Sequence, residues 1–222
     1  MWNSRADLRM QLREISPYCL AMPAVSKYAI VALVPSEWVA TNKVRVIEYK
    51  GPWLHAMLLS QWFEAWVWKY SGRMGSTIIN LAVSGAIRTF PLLSLDNDWA
   101  RDWIDAWDRS IIAATRQGEG QTSFWNRYHS QSADTGIAHC RTLRAELDDK
   151  ISTENGFTIF TSAEVQIDVG PRFGWDGGQR ESAVSLMHAV NSDQGNGGKR
   201  AKRVPRRPSS TVTGSQGSFE GF

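Results

Sequence analysis

Apolar residues recur along this chain at helical and strand-like spacings, and the rhythm stops near residue 194. In residues 3–15, Leu8, Leu12 and Ile15 follow one another at spacings of four and three behind Asn3 or Ser4. That spacing predicts a short amphipathic helix, with Arg5, Arg9 and Arg13 as a second, basic stripe. Pro17 and Pro23 bracket a link read as irregular. Tyr28 to Val34 is an apolar run of strand length stopped by Pro35, and Lys43 to Lys50 nearly alternates, as a half-buried strand does. Gly51-Pro52 opens a helix from Trp53 to Tyr70 that is apolar on most sides and closes at Ser71-Gly72-Arg73. Thr77 to Val83 then reads as a central strand ended by Ser84-Gly85.

Asp96, Asn97 or Asp98 can cap the next helix, over about 98–115, in which Trp99, Trp103 and Trp107 recur at spacing four. Residues 116–136 read as a long loop holding an aromatic island of Phe124, Trp125 and Tyr128. The stretch His139 to Lys150 fits either strand or helix. Strand signals return at 157–160 and 164–169, and 180–191 predicts a terminal helix. From Gln194 onward the residues are Gly, Ser, Pro and Arg with no apolar period, the composition of a disordered tail. The expectation is an α+β fold, a small mostly antiparallel sheet packed against helices, with a disordered basic C-terminal tail. It divides as an N-terminal helix (1–16), a globular domain (17–193) and the tail (194–222).

Charge sharpens that division. The net +3 hides a body, residues 1–194, with two more acidic than basic groups, and a segment 195–222 of net +5. In it Lys199, Arg200, Lys202, Arg203, Arg206 and Arg207 make a cationic run interrupted by Pro205. Such a run contacts RNA phosphates, anionic lipid headgroups or a nuclear import receptor, or serves only to solubilise. No apolar stretch is long enough for a spanning helix, and the charged first residues do not read as a signal peptide. Two distant cysteines, Cys19 and Cys140, suit a reducing environment.

Motifs for chemistry are sparse. There is no Cys-x-x-Cys, His-Glu-x-x-His, Walker loop or G-x-S-x-G, and the histidines are scattered singly. No catalytic or metal-ligating residue and no cofactor is therefore assigned. Asp96, Asp98, Asp102, Asp105 and Asp108 could make a cation site, but acids at the front of a helix more simply complement its dipole and solvate its face. The Trp stripe reads as core. Eleven Trp in all suggest that some are partly exposed at an interface.

The middle of the chain resembles rhabdovirus matrix proteins. The residues that carry this are Leu58-Leu59-Ser60-Gln61-Trp62-Phe63-Glu64, Tyr70-Ser71-Gly72-Arg73-Met74 and Ile78-Ile79-Asn80-Leu81-Ala82-Val83-Ser84-Gly85, with a last strand and last helix in the family's order. The family's late-budding motif has no counterpart here, since neither PPxY nor PTAP occurs. The resemblance implies a non-enzymatic structural protein of the virion, host cytoplasm and inner membrane face. It would self-associate and bridge nucleocapsid and anionic membrane during assembly. The contact residues expected are Lys199, Arg200, Lys202, Arg203, Arg206 and Arg207, then Arg5, Arg9 and Arg13. The alternative is an RNA-binding nucleocapsid-associated or accessory protein using the same tail.

Overall fold

Four strands open the fold: β1 (Tyr18–Pro23), β2 (Val25–Ser26), β3 (Ala32–Pro35) and β4 (Val44–Glu48). In this computed structural model the chain is described at residue 14 and over 16–38, 40–75, 77–131, 133–167 and 170–197. β1 is the middle of an antiparallel sheet ordered β3-β1-β4, with Leu20 opposite both Leu33 and Ile47. The link expected between Pro17 and Pro23 is thus a strand. Its prolines lie at its borders, where a missing N–H costs no ladder bond. Conversely, only the end of the Tyr28–Val34 run is a strand. Tyr28, Ala29, Ile30 and Val31 are buried instead as an irregular crossing, and continuous burial on both sides looks like a central strand in sequence.

The helix expected over 53–70 is two, α1 (Pro52–Leu59) and α2 (Gln61–Tyr70). Ser60 divides them: its extended backbone (φ −71°, ψ 160°) stops the first, and its Oγ accepts from the Phe63 N–H to cap the second. Every residue from Gln61 to Trp68 is buried. Strand β5 (Gly72–Met74) follows, then β6 (Ile78–Asn80), which pairs with β2 on one side and β5 on the other. The strand expected over 77–83 is cut short because Val83–Ile87 coils into a π-helical turn. Gly85 is needed there, since a Cβ would stand 2.8 Å from the Tyr70 carbonyl oxygen.

Helix α3 (Asn97–Ala114) begins at Asp96, whose carboxylate accepts from the Trp99 N–H at 2.7 Å. Trp103 and Trp107 stack with ring centroids 5.3 Å apart, and Trp103 Nε1 donates to the Leu143 carbonyl. The stripe is core at these two positions and half-buried at Trp99. The expected 116–136 loop contains helix α4 (Gln121–Tyr128), and its aromatic island is that helix's buried face. His139 to Lys150 lies within α5 (Thr135–Asn155), capped by Asp134 and closed by left-handed Gly156. Residues 157–160 are not a strand. A hairpin of β7 (Ala163–Ile167) and β8 (Gly170–Gly174) leads to α6 (Gly177–Gly197), longer at both ends than the expected 180–191.

The architecture is α+β: small antiparallel sheets of two or three strands against six α-helices among the described residues. Cys19 and Cys140 are both free and buried. No helix among the described residues is long and apolar enough to cross a membrane.

Candidate functional site

The sheet of β2, β6 and β5 has two unlike faces, set by its register. Ser26, Ile79 and Arg73 form one cross-strand row, and Ile79 is buried, so that row faces the core. Arg73 reaches across it to put its guanidinium 5.2 Å from the centroid of the Trp68 ring, at the end of α2. The neighbouring rows face outward and leave Val25, Met74 and Ile78 exposed. Lys27, next in chain after β2, is exposed beside them, its Nζ 5.3 Å from the Tyr28 ring.

Behind this sheet lies a buried charge cluster. Glu64, in the first turn of α2, is buried along with every residue from Gln61 to Trp68, a setting in which an ion requires partners. Arg144 of α5 donates to Glu64 Oε2 at 2.7 Å and to the Leu59 carbonyl at 2.8 Å. Arg172 of β8 and Arg180 of α6 each stand 3.5 Å from Glu64 Oε1. Burial works to raise the Glu64 carboxyl, but Arg144 foremost, with Arg180 and Arg172, outweighs it and holds the group below the usual carboxylate range. Arg172 also donates to the Lys27 carbonyl at 2.8 Å, so the cluster is tied directly to the exposed edge. The guanidinium carbons of Arg172 and Arg180 lie 5.0 Å and 5.6 Å from the same Trp68 centroid.

A second buried node sits at the very start of α2. Asp148 accepts from the Gln61 backbone N–H at 2.8 Å and from Gln61 Nε2 at 2.9 Å, while Gln61 Oε1 accepts from the Trp175 N–H. Gln61 comes so close to Gly174 (φ 151°) that a Cβ there would lie 2.6 Å from its side-chain oxygen. Burial pushes the Asp148 carboxyl up to about 7. His129, stacked on Tyr28 at 4.8 Å and donating from Nδ1 to the Phe173 carbonyl, is pushed down to about 3 by burial; His55 is pushed down to about 4 for the same reason.

These groups set a pH dependence with a definite sign. The two histidines stay neutral in the fold, so below pH 6.5 the unfolded chain binds more protons and stability falls. Asp148 acts oppositely: below about 7 the fold takes up a proton that the unfolded chain takes only near 3.8, which offsets one histidine. From pH 6 to 5 the net loss is therefore roughly one proton's worth, on the order of 1 kcal/mol per pH unit. Urea unfolding at pH 6 and 5 checks this. Asp148→Asn removes the offset and is expected to steepen the slope roughly twofold.

The residues expected to touch an anionic partner are not among those that form this cluster. Lys199, Arg200, Lys202, Arg203, Arg206 and Arg207 lie outside the described residues, as do Arg5, Arg9 and Arg13. Of the acidic run, Asp96 caps α3 and Asp98 pairs with Arg101 at 2.7 Å in solvent, while Asp102, Asp105 and Asp108 are exposed. Among the described residues no group of three or more His, Cys, Asp or Glu could hold a metal ion. A groove of about 440 Å³ runs between α5 and residues 159–162. Its cation, Arg141, is committed to the Tyr128 and Ser130 carbonyls and packs on Phe173 at 4.2 Å.

The cluster around Glu64 and Trp68 did not emerge from sequence patterns, because its members come from α2, β5, β8, α5 and α6. One signal was present: a glutamate within Trp62-Phe63-Glu64-Ala65-Trp66-Val67-Trp68 sits among side chains that must be buried, and so needs a buried cation.

No family model and no curated protein matches the chain. Among solved structures, its fold is similar to part of the type IIL restriction-modification enzyme MmeI, solved in complex with DNA. The TM-score is 0.55 at 14% identity, over 80% of this chain and 22% of that one. The chain thus spans about a fifth of the length of that relative.

Proposed function

We propose that the chain is a nucleic-acid-binding module that meets duplex DNA with the β5–β6 hairpin, Lys27 and the guanidinium groups around Trp68. The observation that carries this reading is that Arg73 and Arg180 meet over Trp68, with Lys27 exposed just after β2, beside a hairpin whose outer face is uncovered among the described residues. Cations at such an edge neutralise phosphates, and a two-stranded ribbon has the width to enter a major groove. Likeness in fold to part of an enzyme solved on DNA favours DNA over RNA as the partner. The cationic run Lys199 to Arg207 then adds contacts that strengthen binding without reading sequence. In this reading the module binds, and any chemistry belongs to a partner domain or protein.

Fluorescence anisotropy of the full chain with a labelled duplex tests it. Lys27→Ala with Arg73→Ala is expected to weaken binding on every duplex alike, by about tenfold or more, and to lower the salt slope by about one for each phosphate no longer neutralised. Unchanged affinity would remove this edge from the interface. Stronger binding to RNA than to the duplex would favour the accessory RNA-binding reading.

A matrix-like, self-associating protein at anionic membranes is the second reading. Beyond the resemblance at residues 58–85, it is favoured by Trp38, Leu92, Ile112 and Ile159, all more than half exposed. Vesicle flotation separates the two: the matrix reading expects the full chain to float with anionic lipid and to self-associate, the duplex reading neither.

A further inference from the structure

The first sheet, ordered β3-β1-β4, has a second face that the core does not use. Leu20 and Met22 point into the core, with Leu33 and Ile47 opposite Leu20 in the layer packed against it. The alternate positions therefore point the other way. They form the rows Ala32–Ala21–Val46 and Val34–Cys19–Glu48, with Pro23 beside Val44. Apart from Glu48 at one end, every side chain on this face is apolar, and none belongs to the described core or to the layer packed on it. An apolar sheet face calls for a second layer to bury it. Cys19 is already covered: it is only 5% exposed although it lies outside the core.

The segment that precedes β1 arrives at the edge of this face. The Ser16 carbonyl accepts from Ser36 Oγ at 2.8 Å, and the Pro17 carbonyl from the Ser36 N–H at 2.9 Å. Ser36 follows Val34 by two positions and its side chain bonds to the Cys19 thiol, which puts residue 16 at the Cys19 end of the face. Leu8, Leu12 and Ile15 lie outside the described residues, but their spacings of four and three are those of one apolar helix stripe. Glu14 is helical and exposed, and about 3.6 residues per turn point it away from that stripe. A helix over 3–15 has a length of about 20 Å, and the six residues of β1 span about 20 Å, so stripe and face match in length.

We infer that residues 3–15 fold back as a helix and dock Leu8, Leu12 and Ile15 on the outer face of the first sheet, over Ala21, Val34 and Val46. Arg5, Arg9 and Arg13, about a quarter-turn round that helix, then stand along its side in solvent. The basic stripe is thereby held in place by the fold and is not a free arm. Docking does not depend on the duplex reading.

The test is native-state labelling of the full chain with a thiol reagent, the rates at Cys19 and Cys140 being read separately by peptide mass spectrometry. Cys19 reports on the docked face, and Cys140, 0% exposed within the core, reports on opening of the whole fold. Leu8→Asp with Leu12→Asp is expected to speed labelling at Cys19 by about tenfold or more and to leave Cys140 unchanged, because a docked segment opens locally. Leu12→Ser alone shifts the Cys19 rate less, in the same direction, and stands in should the double variant not fold. Arg9→Gln with Arg13→Gln leaves both rates as in the parent. An unchanged Cys19 rate in the folded variant, or an equal rise at both cysteines, overturns the docking. A parent Cys19 rate that falls as protein concentration is raised also overturns it, because a second copy then supplies the cover.

Discussion

Replacing Glu64 with glutamine is expected to lower folding stability by about 3–5 kcal/mol, the loss typical of removing one partner from a buried ion pair. The carboxylate is the shared counter-charge of Arg144, Arg172 and Arg180, and the side chains of Arg144 and Arg172 are 3% and 1% exposed. Glutamine keeps the volume and one acceptor, so the loss reports charge rather than packing. For a body of this size the melting temperature should fall by roughly 10 °C. Salt should change the loss little, since buried pairs are poorly screened. The exposed Arg101–Asp98 pair makes the contrast: about 0–1 kcal/mol, vanishing at high salt. Adding Arg180→Gln to Glu64→Gln should recover part of the stability, because it removes a guanidinium that has no counter-charge left. A Glu64→Gln protein as stable as the parent would mean that the cluster does not hold α2, α5, β8 and α6 together.

Trp62→Ala should cost a comparable amount, about 3–5 kcal/mol, by another route. Its ring is 0% exposed and meets Trp175 edge-on at 5.0 Å, Phe157 at 4.9 Å and Phe160 at 5.9 Å. It thereby packs the first turn of α2 against the segment that leads into β7 and the link from β8 to α6. Truncation leaves a cavity walled by aromatic rings that cannot collapse into it, and frees the Asp148 carbonyl from Trp62 Nε1. Trp62→Phe restores most of the volume and should recover more than half of the loss. Chemical denaturation of the two variants separates packing from the missing hydrogen bond. Equal losses would put the whole effect on the indole N–H.

What could be read before the fold was seen follows from how each element buries its faces. Helix α3 was legible because Trp99, Trp103 and Trp107 alternate with solvated acids and Asp96 supplies the cap. Helix α5 was not, because Arg141, Arg144 and Asp148 are buried along with Leu143 and Leu147, so polar residues occupy positions that an apolar period would mark. The break at Ser60 was hidden for the opposite reason: apolar residues on both sides let one helical pattern run through it. The paired faces of β5 and β6 were illegible because these strands have three residues each, too few for an alternation to show. The candidate site was harder still. Glu64 meets Arg144 and Arg172 across 80 and 108 positions of chain, and no local spacing encodes that meeting. The cationic run at 199–207 is visible because it is contiguous; the fewer cations that the fold assembles at Trp68 are scattered along the chain and leave no such mark.

On the proposed reading the folded body, and not the cationic run alone, binds nucleic acid. The most direct measurement is duplex affinity against salt for a full-length chain in which Lys199, Arg200, Lys202, Arg203, Arg206 and Arg207 are all glutamine. With about three phosphate contacts left on the body, log Kd should change against log salt with a slope of magnitude about 2.7, and Arg73→Ala should reduce that by about one. No measurable duplex binding by the charge-neutralised chain at about 50 mM salt would contradict the account, because every phosphate contact would then belong to the run.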